Sequence, residues 1–194
     1  MNVYDFDGTI CAGDCEDRFF AYLFRKKGFL KAHIRYLWNE LLFRCKLRSR
    51  TECREQEYRV LQQIEDLDAL LEDYWDQTEK YMLPWYAAVQ RPDDVIATST
   101  PGFLMEPMMR RLGIQNLVAT KMDKRTGKID GLFGEGEEKR KNFCEKFDPN
   151  EIDSFYSDTY SDRFMASCAK RAYVVRGNGN LTEWDAFFQI RRKR

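Results

Sequence analysis

Apolar and polar residues change period along this chain, and the change divides it into parts. A short apolar run at the start ends in Asp5-Phe6-Asp7-Gly8-Thr9. Alternation on a strand sends Asp5 and Asp7 to one side and Phe6 to the other, and Gly8 lets the backbone turn away. From 13 to 86 the only breakers are Gly13, Gly28 and Pro84. Apolar positions there recur at helical spacing: Phe19, Phe20, Leu23 and Phe24, then Ile34, Leu37, Trp38, Leu41 and Leu42. A third helix is predicted over 51–64 with Thr51 as its N-cap, and a fourth over 67–83. The segment reads as a helical insert whose aromatics, among them Phe19, Phe20, Tyr36 and Trp38, are expected to form its core, the other reading being a pocket for an apolar substrate.

From Arg91 onward short apolar runs (DVIATS, NLVATKM, DSFYSD, AYVVRG) alternate with helical stretches at PGFLMEPMMRRLG, 137–146 and 162–171. KRTGKIDGLFG suggests a hairpin or turn. Strands alternating with helices predict an α/β fold, a parallel sheet covered on both faces.

Composition sharpens this picture. Apolar residues make up 43% and aromatics 14% of the 194 residues, which excludes a disordered chain and suits one domain with an inserted subdomain. Lys plus Arg equals Asp plus Glu at 32 each, so the whole-chain charge makes no case for nucleic acid or an anionic membrane. The contiguous basic run Arg191-Arg192-Lys193-Arg194 is expected to be a solvated tail. No stretch approaches the ~20 apolar residues of a membrane span, and an opening strand leaves no room for a signal peptide, so a cytoplasmic location is expected. Cysteines at 11, 15, 45, 53, 144 and 168 form no CxxC pair, and His33 is the one histidine. Structural zinc is therefore not expected, the thiols read as small buried hydrophobes, and any metal must take oxygen ligands.

Ligands of an open α/β sheet bind outside the carboxyl ends of its strands. Those ends carry Asp5 and Asp7, then Thr98, Ser99 and Thr100, then Ser157, Asp158 and Asp162, with Lys139 opening a helix before the last group. Carboxylates as close as Asp5 and Asp7 call for a cation or a shared proton. The set meets the needs of aspartate-based phosphoryl transfer. Asp5 can attack phosphorus to form an acyl phosphate. Asp7 can protonate the leaving alkoxide and then activate water. A hard divalent cation such as Mg2+, its shell completed by Asp158, would bridge phosphate and nucleophile. Thr98 and Lys139, with backbone N–H groups at the turns around Gly8 and Ser99, would meet the phosphoryl oxygens. Asp162 would orient Lys139 or a metal-bound water. A serine nucleophile would want a histidine base, and His33 lies on an apolar helical stretch of the insert, where it reads as structural.

These residues resemble the haloacid dehalogenase superfamily, in its phosphoserine-phosphatase-like branch. DFDGT at 5–9 resembles its first motif, Thr98 in VIATSTP its second, Lys139 in GEGEEKRKNF its third and SDTYSD at 157–162 its fourth. TSTPGFLMEP, TGKIDG and GEEK are also similar to members that carry a four-helix cap. The resemblance implies a Rossmann-like core of residues 1–12 and 87–194 with a helical cap at 13–86. It implies an Asp5 phosphoaspartyl intermediate, Asp7 as acid and base, and magnesium held by Asp5, the Asp7 backbone carbonyl and Asp158. Dehalogenases of the family lack an acid at the Asp7 position, so its presence favours phosphate esters. Thr98 stands where the branch usually shows serine, and Ser157 where glycine is common; the first change keeps the hydroxyl.

Several residues keep two readings. Lys139 opens the run Lys139-Arg140-Lys141, which by itself reads as a solvated face. Asp162 could be an N-terminal helix charge, and Thr98 to Thr100 could cap the helix near Pro101. Asp14 sits where phosphoserine phosphatases carry an acid that meets the substrate amine, or it caps the first cap helix. Arg18, Arg50 and Arg54 are candidate substrate-facing residues of the cap. The function expected is a magnesium-dependent phosphomonoesterase for a small phosphorylated metabolite, with phosphoserine or a phospholipid head-group phosphate in view. The rival is a phosphate-binding or regulatory module without turnover, against which Asp5 and Asp7 both weigh. Neither nucleic acid nor a membrane span is expected, and the sequence carries no signal for oligomeric state.

Overall fold

A computed structural model describes the backbone of residues 1–192 and the side chains of 1–188. The expectation for the basic run 191–194 lies outside the described side chains. One six-stranded sheet has the order β3-β2-β1-β4-β5-β6. Its strands are β1 (Asn2–Tyr4), β2 (Val95–Pro101), β3 (Asn116–Thr120), β4 (Ser154–Ser157), β5 (Arg171–Arg176) and β6 (Asn180–Glu183). The first five are mutually parallel and β6 pairs antiparallel with β5. This is the Rossmann-type α/β arrangement, with β1 between β2 and β4.

Strand alternation sorts the core into two layers. Val3, Val95, Ala97 and Phe155 face one side, where Phe143 and Met165 cover them. Tyr4 and Ile96 face the other, where they meet the side chains of the helical segment, Phe19, Phe20, Tyr74 and Trp75 among them. Between β1 and β2 the chain is helical: α1 (Cys15–Phe24), α2 (Leu30–Arg44), α3 (Arg50–Tyr58), α4 (Leu67–Thr78) and α5 (Pro84–Val89). After β2 come α6 (Gly102–Leu112), α7 (Glu137–Cys144), the short α8 (Arg163–Ala166) and α9 (Trp184–Arg192). Trp75 Nε1 donates to Leu104 O at 2.7 Å and Trp85 Nε1 to Thr9 O at 2.9 Å, pinning α4 and α5 to the sheet side. A strap at 121–133 clasps α3 from the other direction: Ile129 N donates to Glu55 Oε1 at 3.1 Å and Phe133 N to Thr51 Oγ1 at 3.0 Å. Lys124 pairs with Asp68 and Lys128 with Glu55 along the same seam.

Several local expectations are corrected. Ser49, not Thr51, caps α3, in a reciprocal box with Glu52, because Ser-x-x-Glu satisfies two orphan donors at once. Thr51 spends its hydroxyl on the strap instead. The predicted 67–83 helix ends at Thr78, passes through a 3-10 turn (Glu79–Tyr81) and restarts at Pro84, whose ring suits a first helical position. The predicted 162–171 helix shrinks to a 3-10 turn (Tyr160–Asp162) and α8. Helix α6 has no side-chain cap; Thr98 to Thr100 lie within β2. The edge strand β6 was not expected; it turns back through Gly177 and Gly179, both at positive φ. Cys45 and Cys144 are exposed rather than buried, and all six thiols are free. His33 stacks on Phe24 at 4.4 Å between ring centroids.

The largest correction concerns α2. Ala32 and Asn39 form its buried side, small enough for a close approach to the neighbouring helices, and Tyr36 packs beside Phe20. Ile34, Leu37, Trp38 and Leu41 therefore point outward, between 50% and 60% exposed, which takes Trp38 out of the core. No helix of the described residues is long and apolar enough to cross a membrane.

Candidate active site

Parallel strands deliver their carboxyl ends to one edge of the sheet, and the loops there enclose a cleft of about 390 Å3. Asp5, Asp7, Gly8, Asp14, Thr98, Ser99, Lys139 and Asp158 all line it, together with Glu16, Arg50 and Arg54 of the helical segment. Asp5 follows β1 directly and its backbone N–H donates to Tyr156 O at 2.8 Å, which fixes the first strand end against the fourth.

Lys139 is buried near the start of α7. Its Nζ lies 3.0 Å from Asp5 Oδ1 and 2.8 Å from Asp162 Oδ1. Ser157 Oγ donates to Asp162 Oδ2 at 2.7 Å, so Asp162 is held by two partners and behaves as the rear support of Lys139, not as an exposed helix charge. Burial works against the ammonium, but Asp162 and Asp5 outweigh it and hold Lys139 protonated above the usual lysine range. Burial pushes the Asp5 carboxyl well up; Lys139 opposes this, while Asp162 and Asp7 add to it.

Asp7 points another way. Its Oδ1 accepts from Cys15 N at 2.7 Å and its Oδ2 from Thr100 Oγ1 at 3.0 Å, with Cys15 Sγ at 3.4 Å. Burial and the charge of Asp14 push its pKa up to about 6, against the hydrogen bonds from Cys15 and Thr100. Thr100 is thus a site residue that sequence reasoning passed over except as a helix cap. Thr98 Oγ1 accepts from Thr100 N at 3.1 Å, which leaves its proton for an acceptor in the cleft.

Gly8 stands at φ 74°, and a Cβ there would lie 2.9 Å from Asp158 Oδ1 and closer still to Oδ2. The glycine is required both for the left-handed turn and for the approach of that carboxylate. Its N–H is already given to Cys11 O at 2.8 Å and Gly13 O at 3.1 Å, which corrects the expectation that it meets a phosphate. Gly8→Ala is expected to displace Asp158 and cost about 1–3 kcal/mol of stability, from a strained backbone, read from a urea melt of the variant.

Asp14 caps α1, its Oδ1 accepting from Asp17 N at 2.8 Å, and still borders the cleft. Arg54 is buried and pairs with Glu16 at 3.2 Å and Glu57 at 2.8 Å; Arg50 pairs with Glu40 at 2.7 Å. Arg18 is spent elsewhere, donating to Ala12 O and lying over the Tyr81 ring.

Among the described residues no three His, Cys, Asp or Glu side chains are gathered into a metal-holding group. The Asp7 carboxylate is committed to Cys15 and Thr100, so a cation would draw on the Asp5 and Asp158 carboxylates and backbone oxygen. Those two fit one: both carboxylates line the same cleft, and the lack of a side chain at Gly8 lets Asp158 come close to the backbone that follows Asp5 and Asp7. An all-oxygen set of this kind suits a hard divalent ion.

A model of the haloacid dehalogenase-like hydrolase family matches residues 3–167. Among solved structures, a protein with unknown function from Bordetella pertussis Tohama I is similar over 100% of this chain and 95% of its own, at 19% identity and TM-score 0.77. A HAD family hydrolase from Salmonella enterica serovar Typhi covers 86% of this chain and 59% of its own, at 13% identity and TM-score 0.60. A phosphoserine phosphohydrolase-like protein from Francisella tularensis SCHU S4 covers 89% and 86%, at 13% identity and TM-score 0.53. No curated protein matches the chain significantly.

Proposed function

The chain belongs to the haloacid dehalogenase-like hydrolases, and from that membership we propose that it is a magnesium-dependent phosphomonoesterase acting on a small phosphorylated compound through a phosphoaspartyl intermediate on Asp5. One observation carries the reading: Lys139 holds Asp5 at 3.0 Å in the cleft that also takes Asp7. A buried ammonium favours the ionised nucleophile against the burial that raises its pKa, and stands ready for charge on the transferring phosphoryl oxygens. Thr98, its lone pair engaged by Thr100, turns its proton toward the same oxygens.

Asp5 attacks phosphorus, the ester P–O bond breaks, and Asp7 gives its proton to the departing alkoxide. Water then attacks the acyl phosphate, Asp7 takes the proton, and phosphate leaves with Asp5 restored. A carboxyl with a pKa of about 6 can serve in both directions near neutrality. Asp5, Asp158 and the Asp7 backbone carbonyl would hold Mg2+, which when bound offsets the repulsion between phosphate and carboxylate. Substrate selection falls to the cap residues 13–86, where Arg50, Arg54 and Asp14 border the cleft.

Release of inorganic phosphate from an aryl phosphate with Mg2+, and its loss with chelator, tests the reading; no release with any divalent ion would sink it. The acid role has its own signature. Asp7 is protonated below about pH 6, so kcat/KM for an alkyl phosphate is expected to fall as pH rises through that value. An aryl phosphate, whose phenolate leaves unaided, should lack this falling limb. Identical pH profiles for the two esters would remove Asp7 from the acid role.

A further inference from the structure

We propose that the outward face of α2 is a docking surface for an anionic lipid bilayer. The inference stands on the cap surface alone and does not depend on how the cleft is read.

Leu30, Ile34, Leu37, Trp38 and Leu41 are 50–71% exposed, and their spacing puts all five on one side of the helix. An apolar stripe this continuous, facing solvent along a whole helix, marks a contact surface rather than scattered exposure. Leu47, 72% exposed, continues the stripe into the turn that follows. The buried side of α2 is the less hydrophobic one, Ala32 and Asn39, so the helix is amphipathic in the sense opposite to that expected from packing alone.

Charge identifies the occupant. Residues 25–50 hold nine Lys or Arg against Glu40 alone, a net +8 within a chain whose total is zero. Arg25, Lys27, Lys31, Arg44, Lys46 and Arg48 are exposed and form no ion pair among the described residues. A second copy of the chain would bring these charges against their own kind across a two-fold axis. Nucleic acid would use the charge and leave the leucines in water. An anionic bilayer satisfies both, with basic side chains at the head groups, aliphatic ones below them and Trp38 at the boundary, where indole is favoured.

Co-sedimentation of the full chain with vesicles of phosphatidylcholine, with and without phosphatidylglycerol, tests this. Binding is expected to the anionic vesicles, to weaken roughly tenfold when salt is raised well above physiological ionic strength, and to shift tryptophan emission to the blue. Trp38→Phe should abolish the shift while binding persists. Leu37→Glu, at an exposed position, should keep the native melting temperature and lose at least about tenfold in binding. The double variant Lys31→Glu/Arg44→Glu should lose binding while keeping the stripe. No binding to anionic vesicles, equal binding to neutral ones, or indifference to Leu37→Glu would overturn the proposal. So would a dimer that Leu37→Glu dissolves in a protein that ignores vesicles.

Discussion

Asp5→Asn is expected to release phosphate from an aryl phosphate at less than about one ten-thousandth of the native rate, because removal of a covalent nucleophile leaves only binding and electrostatic help. The substitution is close to isosteric and removes a charge that the fold holds at a cost: burial, Asp162 and Asp7 together push the Asp5 carboxyl above its ordinary range despite Lys139. A carboxyl with a raised folded-state pKa contributes stability that is present at low pH and lost as pH rises through that pKa. At neutral pH the variant, which cannot ionise, is therefore expected to melt no lower than the native protein. Dead chemistry with undiminished stability is the usual sign of a functional charge. A phosphate assay and a thermal melt on one preparation read both outcomes, and native-level phosphate release would end the phosphoaspartyl reading.

Lys139→Met is expected to fail in both respects. Asp5 and Asp162 would be left facing each other in a buried site without their ammonium, 3.0 and 2.8 Å away in the native arrangement. Breaking a buried pair from one side costs about 3–5 kcal/mol, to be read from urea unfolding, and the phosphoryl oxygens lose their cation. Adding Asp162→Leu should recover part of the stability by removing the stranded charge, with no recovery of turnover. A double variant as unstable as the single one would show that Lys139 supports the fold through its stem instead.

How legible these features were in the sequence varies with their physics. The parallel sheet and the acidic strand ends could be read because alternation and strand-end position are local properties. Lys139 lay in a basic triplet, yet a signal was present: 139, 142 and 143 fall on one helix face, and in α7 those are the buried positions. Arg140 and Lys141 turn outward to Glu137 and Glu138. Thr100 stood among the strand-end hydroxyls, but its partner Asp7 lies 93 residues away in the chain. The Ser49–Glu52 capping box was also in plain view. The α2 stripe was legible only as a periodicity. Spacing says which residues share a face, but whether that face turns in or out depends on neighbours far away in the chain. The density of basic residues around α2 was the available clue, and a whole-chain charge of zero concealed it.

Among the seams that fasten the helical segment to the rest of the molecule, two differ in physical kind. One is buried: the first residue of α1 gives its N–H to Asp7 at 2.7 Å. The other is the strap, where Lys124–Asp68 and Lys128–Glu55 bridge in water with both lysines largely exposed. Dissolved ions weaken the second seam and hardly reach the first. Raised ionic strength is thus expected to loosen the strap before it touches the hydrogen bond that holds Asp7.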